Sequence, residues 1–443
     1  MHCLLLLAVA SLAGPADWPQ FRGPGASGAS PDADPPIAFD APTWRTEIPG
    51  LSHASPVIEG DFVFVATAIP KGRDPQLKVG LYGDGDSADD LVETEFRVLA
   101  LDVKTGEIAW NTLVVEAVPP FGRHTKATQA NSTPAVAGGR VVALFGSEGL
   151  FCLDARTGER RWHVDLGPLD CGPHDETDLE WGYASSPIIA DGLAVVQMDV
   201  KAGGSLAAFD LETGEERWRT RRDDVNTWST PTAVTLESGE THVLVNGCKE
   251  IAAYRLRDGK RAWTMAGGGG IPVPTPVVSD GLAYFTSNHR PLEPSHPHKP
   301  VFAVRLSATG DLGIPTGDDE EDADGVAWMQ TRVGSYMQTP LAANGLVWLC
   351  YDSGIVTCLD ARTGEMYYRE RIQDGREGYT ASPVLGGDRI YLTGEEGTVV
   401  VLAATDELEV VARGALGEVC MSTPAIHGDA LVYRLEDSVA RYD

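Results

Sequence analysis

The sequence is poor in basic residues and in long apolar runs. It contains 35 Lys and Arg against 64 Asp and Glu, which gives a formal net charge of −29. Nucleic acid binding needs clustered positive charge, so this balance argues against a nucleic acid partner. Beyond the first 14 residues no apolar run is long enough to cross a bilayer as a helix, and we expect no membrane span.

Motifs of the common catalytic and metal sites are also missing. The sequence has no glycine-rich phosphate loop, no His-Glu-x-x-His zinc motif and no Cys-x-x-Cys-His haem motif. The acidic stretch from Asp84 to Asp90 is similar to a calcium loop but lacks two of its required positions, which favours a solvated loop. The histidines His289, His296 and His298 lie among prolines without a metal-ligand spacing. We therefore predict no metal site and no catalytic residue.

The one long apolar run lies at the amino terminus. Residues 4–14 are followed by small residues, with Gly14 and Ala16 at the −3 and −1 positions of a cleavage before Asp17. We predict a signal peptide over residues 1–16 and an exported protein, either periplasmic or extracellular. Residues 17–42, rich in Gly, Ala, Ser and Pro, are predicted to form an extended arm that lies on the folded domain.

A nine-residue unit, Asp-x-x-Thr-Gly-x-x-x-Trp, recurs along the chain. Asp initiates a turn, Gly supplies the positive φ that the turn requires, and the strand that follows carries the Trp. A repeated Trp indicates a repeated packing element rather than a ligand contact, because a binding site is not repeated. The residues predicted to dock neighbouring units are Trp44, Trp110, Trp162, Trp218, Trp263, Trp328, Gly106, Gly158, Gly214 and Gly364.

A second marker, Ser/Thr-Pro followed by apolar residues, gives the number of units. It occurs eight times, with its prolines at 56, 134, 187, 231, 276, 340, 383 and 424. Pro lacks an N–H and suits the first residue of a strand. Four short strands at this spacing are typical of a β-propeller blade. We predict an all-β, eight-bladed propeller of four-stranded antiparallel blades over residues 43–443, with residues 43–48 completing blade eight.

Cysteine is scarce, and the repeat register bears on its state. Of seven cysteines, Cys3 lies in the predicted signal peptide, and the other six could form three disulfides in an exported protein. However, Cys152 and Cys358 occupy a position where other units have Ala, which indicates packed thiols. A pairing of Cys350 with Cys358 across a hairpin stays open.

Polar and aromatic residues precede the markers. In a propeller these positions surround the mouth of the central channel, and a basic loop joins them there. Aromatic rings interleaved with amides and charges are typical of a binding mouth, although several could instead plug the channel and cap the blades. The predicted ligand or partner site comprises His53, Arg123, His124, Gln129, Asn131, Trp181, Tyr183, Asn226, Trp228, Tyr336, Gln338 and Tyr379.

The unit at residues 100–110 resembles the tryptophan-docking repeat of the pyrroloquinoline-quinone (PQQ)-like eight-bladed propellers. That family includes quinone-dependent alcohol and sugar dehydrogenases, and also BamB, a non-enzymatic component of the outer-membrane β-barrel assembly machinery. Residues 17–24 are similar to the start of exported BamB-like proteins. The dehydrogenases carry two adjacent cysteines over the quinone, and no two cysteines are adjacent in this sequence.

The resemblance and the residues together lead to one prediction and two alternatives. We predict a non-catalytic, monomeric scaffold that binds a cell-envelope protein or a small ligand at the channel mouth, without a cofactor. One alternative is a PQQ-dependent alcohol or sugar dehydrogenase, which would require PQQ and calcium. The other is a carbohydrate-binding module that uses the aromatic mouth.

Overall fold

The computed structural model describes residues 17–73, 77–81, 85–288, 291, 296–313, 325–373 and 376–443. The predicted signal peptide, Asp84 of the acidic loop and His289 lie outside these residues. Within the described ranges the regular secondary structure is β-strand, apart from two short 3₁₀ turns at Pro24–Ala26 and Gly146–Glu148. No helix in this part of the chain has the length and apolarity needed to cross a membrane.

Eight sheets make up the fold, and each is one blade. Two strands precede the first blade: β1 (Ala29–Ser30) joins blade seven and β2 (Trp44–Glu47) joins blade eight. From the axis outward, blade one consists of β3 (Val57–Glu59), β4 (Phe62–Pro70), β5 (Thr94–Asp102) and β6 (Ile108–Ala117), and blade two of β7 (Ala135–Ala137), β8 (Arg140–Leu144), β9 (Leu150–Asp154) and β10 (Arg160–Val164). Blade three consists of β11 (Ile188–Ala190), β12 (Leu193–Val200), β13 (Gly203–Asp210) and β14 (Glu216–Arg222), and blade four of β15 (Thr232–Thr235), β16 (Thr241–Val245), β17 (Glu250–Arg255) and β18 (Arg261–Ala266).

The remaining four blades follow the same order, and the predicted eight-bladed all-β propeller is confirmed. An extra strand, β22 (Gly310–Asp311), adds to blade four in parallel with β18. Blade five consists of β19 (Val277–Ser279), β20 (Leu282–Thr286), β21 (Val301–Arg305) and β23 (Val326–Gln330), and blade six of β24 (Leu341–Ala343), β25 (Leu346–Cys350), β26 (Ile355–Asp360) and β27 (Met366–Arg371). Blade seven contains β28 (Val384–Gly386), β29 (Arg389–Thr393), β30 (Thr398–Ala403) and β31 (Val410–Ala415), and blade eight contains β32 (Ala425–His427), β33 (Ala430–Arg434) and β34 (Ser438–Tyr442).

The recurring turn forms for the reasons its residues suggest. In blade one, Asp102 Oδ1 accepts the backbone N–H groups of Lys104 at 2.9 Å and Thr105 at 2.8 Å. Gly106 has φ 73° and donates its N–H to the Asp102 carbonyl at 2.8 Å. A side chain at this φ would be strained, so Gly sets both the sharpness and the position of the turn.

Each docking Trp of the full repeat reaches the turn of the next blade. Trp44 packs over Gly106, where a Cβ atom would come within 2.5 Å of the ring, and its Nε1–H donates to the Val103 carbonyl at 3.1 Å. The equivalent Nε1 bonds run from Trp110 to Ala155, Trp162 to Leu211, Trp218 to Leu256 and Trp328 to Ala361, at 3.0, 2.9, 2.7 and 3.0 Å. The glycines Gly158, Gly214 and Gly364 lie under Trp110, Trp162 and Trp328.

Trp263 differs from the other five because no described glycine of blade five lies under its ring. Its backbone instead pairs with Gly310 of β22, and its ring meets Phe285 edge-on with centroids 5.8 Å apart. The repeated dock between blades is therefore replaced at the seam between blades four and five.

The last blade combines both ends of the chain. β2 pairs antiparallel with β34, with Trp44 opposite Arg441 and Glu47 opposite Ser438. The predicted closure of the ring by an N-terminal strand is confirmed. All six described cysteines are free and buried, which confirms the packed-thiol interpretation of Cys152 and Cys358. The ladder places Cys358 opposite Trp348, and Cys350 opposite Val356.

The arm lies against the innermost strands of the ring and crosses its axis. Trp18 pairs with Ile58 of β3, and Pro19 accepts the N–H of Val136 in β7 at 2.7 Å. The turn Pro24–Ala26 then packs against β15 and β19 on the other side of the axis. Trp18 is 2% exposed. The apolar surface of the arm drives this path, and glycines with positive φ allow the chain to turn within it.

Candidate functional site

The hydroxyl-bearing residues of the eight markers form a belt around the axis. In the described chain, seven steps between adjacent blades are bridged by a backbone N–H of one marker that donates to the hydroxyl of the next. The bonds run from Ser55 to Thr133, Thr133 to Ser186, Ser186 to Thr230, Thr275 to Thr339, Thr339 to Ser382, Ser382 to Thr423 and Thr423 to Ser55, at 2.9, 2.9, 3.0, 3.1, 2.9, 3.0 and 3.2 Å. The eighth step, from Thr230 to Thr275, lacks this bond, and Thr275 Oγ1 has no partner among the described residues.

The belt surrounds a cavity of about 360 Å³ on the axis, and all eight marker residues line it. Phe21 of the arm also lines the cavity. Its neighbour Arg22 donates to the carbonyls of Pro340 and Pro383, which directly follow two belt residues, at 2.8 and 2.6 Å. The arm thus crosses the axis next to the belt and closes the cavity on that side.

Six of the predicted site residues line this cavity, and six do not. The lining residues are His53, His124, Asn131, Trp181, Trp228 and Tyr336. The residues that are not part of the lining are Arg123, Gln129, Tyr183, Asn226, Gln338 and Tyr379. The split does not follow the period of two of an extended strand, since Asn131 lines the cavity and Gln129 does not, although residues two apart in such a strand point the same way.

Two tryptophans form the aromatic wall. The ring centroids of Trp181 and Trp228 are 5.9 Å apart at an interplanar angle of 39°. Their Nε1–H groups donate to the backbone carbonyls of Gly85 at 2.6 Å and Gly182 at 2.8 Å. His124 meets Trp181 edge-on, with centroids 5.3 Å apart. Because the indole N–H groups are used within the protein, it is the ring faces that are available to a ligand.

The non-lining residues hold the loops that carry the wall. The hydroxyl of Tyr183 donates to the Gln197 carbonyl at 2.5 Å, and Gln129 donates to the Phe121 carbonyl at 3.2 Å. The side-chain amides of Asn226 and Gln338 donate to the carbonyls of Gly172 and Tyr379. Arg123 Nε donates to Asp90 at 2.8 Å. Tyr379 is buried, and this burial raises the pKa of its hydroxyl well above the ordinary value.

The positive charge at the cavity is neutralised by a carboxylate that the sequence did not reveal. Lys126 Nζ lies 2.8 Å from both carboxylate oxygens of Glu395. Glu395 also accepts the Thr380 hydroxyl at 2.6 Å and the Gly80 N–H at 2.7 Å, and it is fully buried. Residues 126 and 395 belong to blades far apart in sequence, so no local pattern could have paired them.

His53 is neutral at physiological pH. Burial, followed by smaller effects that include the nearby positive charges of Arg123 and Lys126, lowers its pKa from 6.5 to about 4. Its Nε2 bonds the Lys126 carbonyl at 2.8 Å, so in the neutral ring Nε2 carries the proton. The wall of the cavity therefore combines apolar rings, hydroxyls and the neutral ring of His53 with the paired cation of Lys126.

The cavity does not fit the cofactor that the quinone-dependent alternative requires. None of the six described cysteines lines it, and none is paired in a disulfide. Across the described ranges, no group of three or more His, Cys, Asp or Glu is arranged to hold a metal ion. The residue set implied for PQQ and calcium is therefore not found around this cavity.

Comparison with known proteins identifies relatives of three kinds, namely a protein kinase, quinone-dependent alcohol dehydrogenases and BamB proteins. Serine/threonine-protein kinase AfsK of Streptomyces coelicolor is 28% identical over 258 residues, which cover 56% of this chain but only 28% of the kinase. The outer membrane protein assembly factor BamB of Moranella endobia is 23% identical over 367 residues, which cover 82% of this chain and 71% of that protein. The chain thus spans less than a third of the kinase and most of the BamB relative.

A solved structure shares the propeller fold. The quinohemoprotein alcohol dehydrogenase from Comamonas testosteroni superimposes with a TM-score of 0.65 at 13% identity, over 98% of this chain and 81% of that one. The family model described as outer membrane protein assembly factor BamB matches residues 37–171 and 97–370, which together are well over half of the chain. This chain therefore belongs to that family.

Proposed function

We propose that this chain is an exported, non-catalytic scaffold whose axial cavity binds a ligand of small-molecule size or a side chain inserted by a cell-envelope partner. The observation that carries the proposal is the blind, aromatic-walled cavity. Its volume of about 360 Å³ falls in the range of ordinary ligand sites, about 300–1,000 Å³. The arm closes the cavity on one side, so the indole faces are accessible from the opposite side of the cavity.

The chemistry of the wall supports binding without catalysis. Catalytic groups require a free nucleophile, base or acid with a suitable pKa. Here Lys126 is paired with Glu395, and the pKa of His53 is lowered to about 4. Arg123 is likewise held by Asp90. These contacts assign the charged groups near the mouth to structure.

The relatives support an envelope partner. The matched family and the relative from Moranella endobia are both described as an outer membrane protein assembly factor. Together with the signal peptide predicted over residues 1–16, this favours an exported protein that acts beside the outer membrane. We propose that the chain works there as a monomer, with its mouth directed toward the partner.

The cavity can be tested with N-phenyl-1-naphthylamine, a neutral aromatic dye that fluoresces in apolar sites. Trp181→Ala and Trp228→Ala are each expected to weaken dye binding about tenfold, because each removes one ring face of the wall. Fluorescence titration measures the change. Tyr367→Ala is the matched control, since Tyr367 is an exposed aromatic on the outer strand β27.

The titration has clear outcomes. Loss of dye affinity in both cavity variants, with no change in Tyr367→Ala, supports the axial site. Equal affinity in all four proteins would remove the cavity from the proposal. The non-catalytic part is tested separately: protein supplied with PQQ and calcium is expected not to reduce an electron-acceptor dye with alcohols or sugars, and reduction would contradict it.

A further inference from the structure

We propose that the ligand of the axial cavity is a small, uncharged saccharide. This inference rests on the proposed function, because it assumes that the cavity binds a ligand. Three properties of the wall carry it: the neutralised charges, the hydroxyl belt and the exposed indole faces.

The charges near the cavity point to an uncharged ligand. The ammonium group of Lys126 is shared between both oxygens of Glu395, each at 2.8 Å, and the ring of His53 is neutral. No carboxylate is among the described residues that line the cavity. A charged ligand would lose its hydration here without gaining an opposite charge, which is costly in a buried site.

The belt offers hydrogen-bond donors around the axis. A Ser or Thr hydroxyl has one O–H donor in addition to its acceptor sites. In the seven bridged steps the hydroxyl accepts a neighbour's N–H, which leaves its own proton to be donated. Thr275 differs from the other residues of the belt, because its Oγ1 has no hydrogen-bond partner in the described chain. This residue lines the cavity and is 2% exposed. A ligand rich in oxygen acceptors would satisfy these groups.

The gap in the belt lies beside the aromatic wall. The N–H of Trp228 donates to the Pro272 carbonyl at 3.0 Å, and the hydroxyl of Ser229 donates to the Pro274 carbonyl at 3.0 Å. The segment that leads into Thr275 is thereby fixed against the segment that carries Trp228. A sugar ring presents an apolar C–H face and a rim of hydroxyls, which match the two kinds of group that line the cavity here, an indole face and a hydroxyl. Thr275 Oγ1 is already buried without a partner in the described chain, and a purely apolar ligand would leave it so.

The test is competition against the neutral dye. Glucose, maltose and N-acetylglucosamine are titrated into dye-loaded protein, with glucuronate as the charged counterpart. We expect at least one neutral saccharide to displace the dye and glucuronate to bind at least tenfold more weakly than glucose. Thr275→Val is expected to weaken the saccharide about fivefold, because the valine keeps the shape but lacks the donor, whereas the apolar dye has no hydrogen bond to lose at this position.

Matched variants separate binding from folding. Thr275→Ser keeps the hydroxyl and is expected to bind the saccharide as the original chain does. Thr275→Val removes a buried hydroxyl that has no partner, so its thermal midpoint is expected not to fall. Thr339→Val, in contrast, removes the acceptor of the Thr275 N–H at 3.1 Å, and its midpoint is expected to fall.

The results distinguish the two proposals. If the dye binds through Trp228 but no neutral saccharide displaces it, or glucuronate displaces it better than glucose, the saccharide inference is overturned and the proposed function stands. If neither dye nor saccharide depends on Trp228, both are overturned. If the saccharide binds equally to the original chain and to Thr275→Val, the role of the hydroxyl gap is overturned.

Discussion

Replacing Trp44 by alanine is expected to lower the free energy of unfolding by about 3–5 kcal/mol, the range for removing a large aromatic ring from a core. Trp44 is 8% exposed, covers Gly106 of blade one and bonds the Val103 carbonyl at 3.1 Å. It also belongs to β2, the strand that joins the two ends of the chain in blade eight. Its loss therefore weakens both the dock and the closure of the ring.

Urea denaturation followed by circular dichroism measures this effect. Trp44→Phe is the matched variant, because it keeps an aromatic ring over Gly106 while removing the Nε1–H donor, and it is expected to lose less than half as much stability. Tyr367→Ala, an exposed change of similar chemistry, is expected to shift the free energy by no more than about 0.5 kcal/mol. A loss below about 1 kcal/mol for Trp44→Ala would show that the ring does not depend on this closure.

Replacing Lys126 by methionine is expected to cost about 3–5 kcal/mol, because it leaves the carboxylate of Glu395 buried without a counter-charge. Both side chains are buried, and Lys126 is the cation that lies within 2.8 Å of both carboxylate oxygens. The pair links blade two to blade seven across the mouth. Replacing Lys126 alone is therefore expected to destabilise the whole ring.

A double variant separates the charge from the shape. Lys126→Met combined with Glu395→Gln removes the buried charge. The single amide oxygen keeps an acceptor for the Gly80 N–H, and the amide NH2 then faces the Thr380 hydroxyl, whose oxygen can accept. The double variant is expected to recover more than half of the lost free energy in the same denaturation experiment. If the double variant is as unstable as Lys126→Met alone, the unpaired charge is not the cause and packing of the lysine stem is.

The blades could be predicted because their determinants are local. The turn at Asp102 and Gly106 is set within five residues and recurs along the chain, so it predicted the shape of the blade. The eight Ser/Thr-Pro markers, which are equally local, predicted the number of blades. The unmarked end of blade eight and the Trp at position 44 then predicted the closing strand. Repetition is what made the fold readable from the sequence.

The cavity depended on contacts that are not local. Tyr379 and Tyr336 both precede a marker, yet Tyr336 lines the cavity and Tyr379 is fully buried in a core. A single sequence position does not say which way a loop side chain points. The contact of Glu395 is also not local, because its partner Lys126 lies 269 residues earlier in the chain.

Two features were visible in the sequence but assigned a smaller role. The marker Pro was interpreted as the start of a strand, whereas the residue before it, such as Thr133, bridges two blades through its hydroxyl. The arm was expected only to lie on the folded domain, without a part in its interior. Trp18 and Phe21 are the signal that it is buried, since apolar rings of that size rarely remain in solvent.

The blind axial cavity is the feature on which the fold and the proposed function both depend, and hydrogen exchange of the arm tests it most directly. The N–H of Trp18 donates to Ile58 at 2.9 Å and that of Gly28 to Arg22 at 2.8 Å, both inside the ring. Mass spectrometry of exchange in the full chain is predicted to show residues 18–30 protected as long as β3. Exchange of this segment within seconds, at the rate of a free chain, would contradict the account.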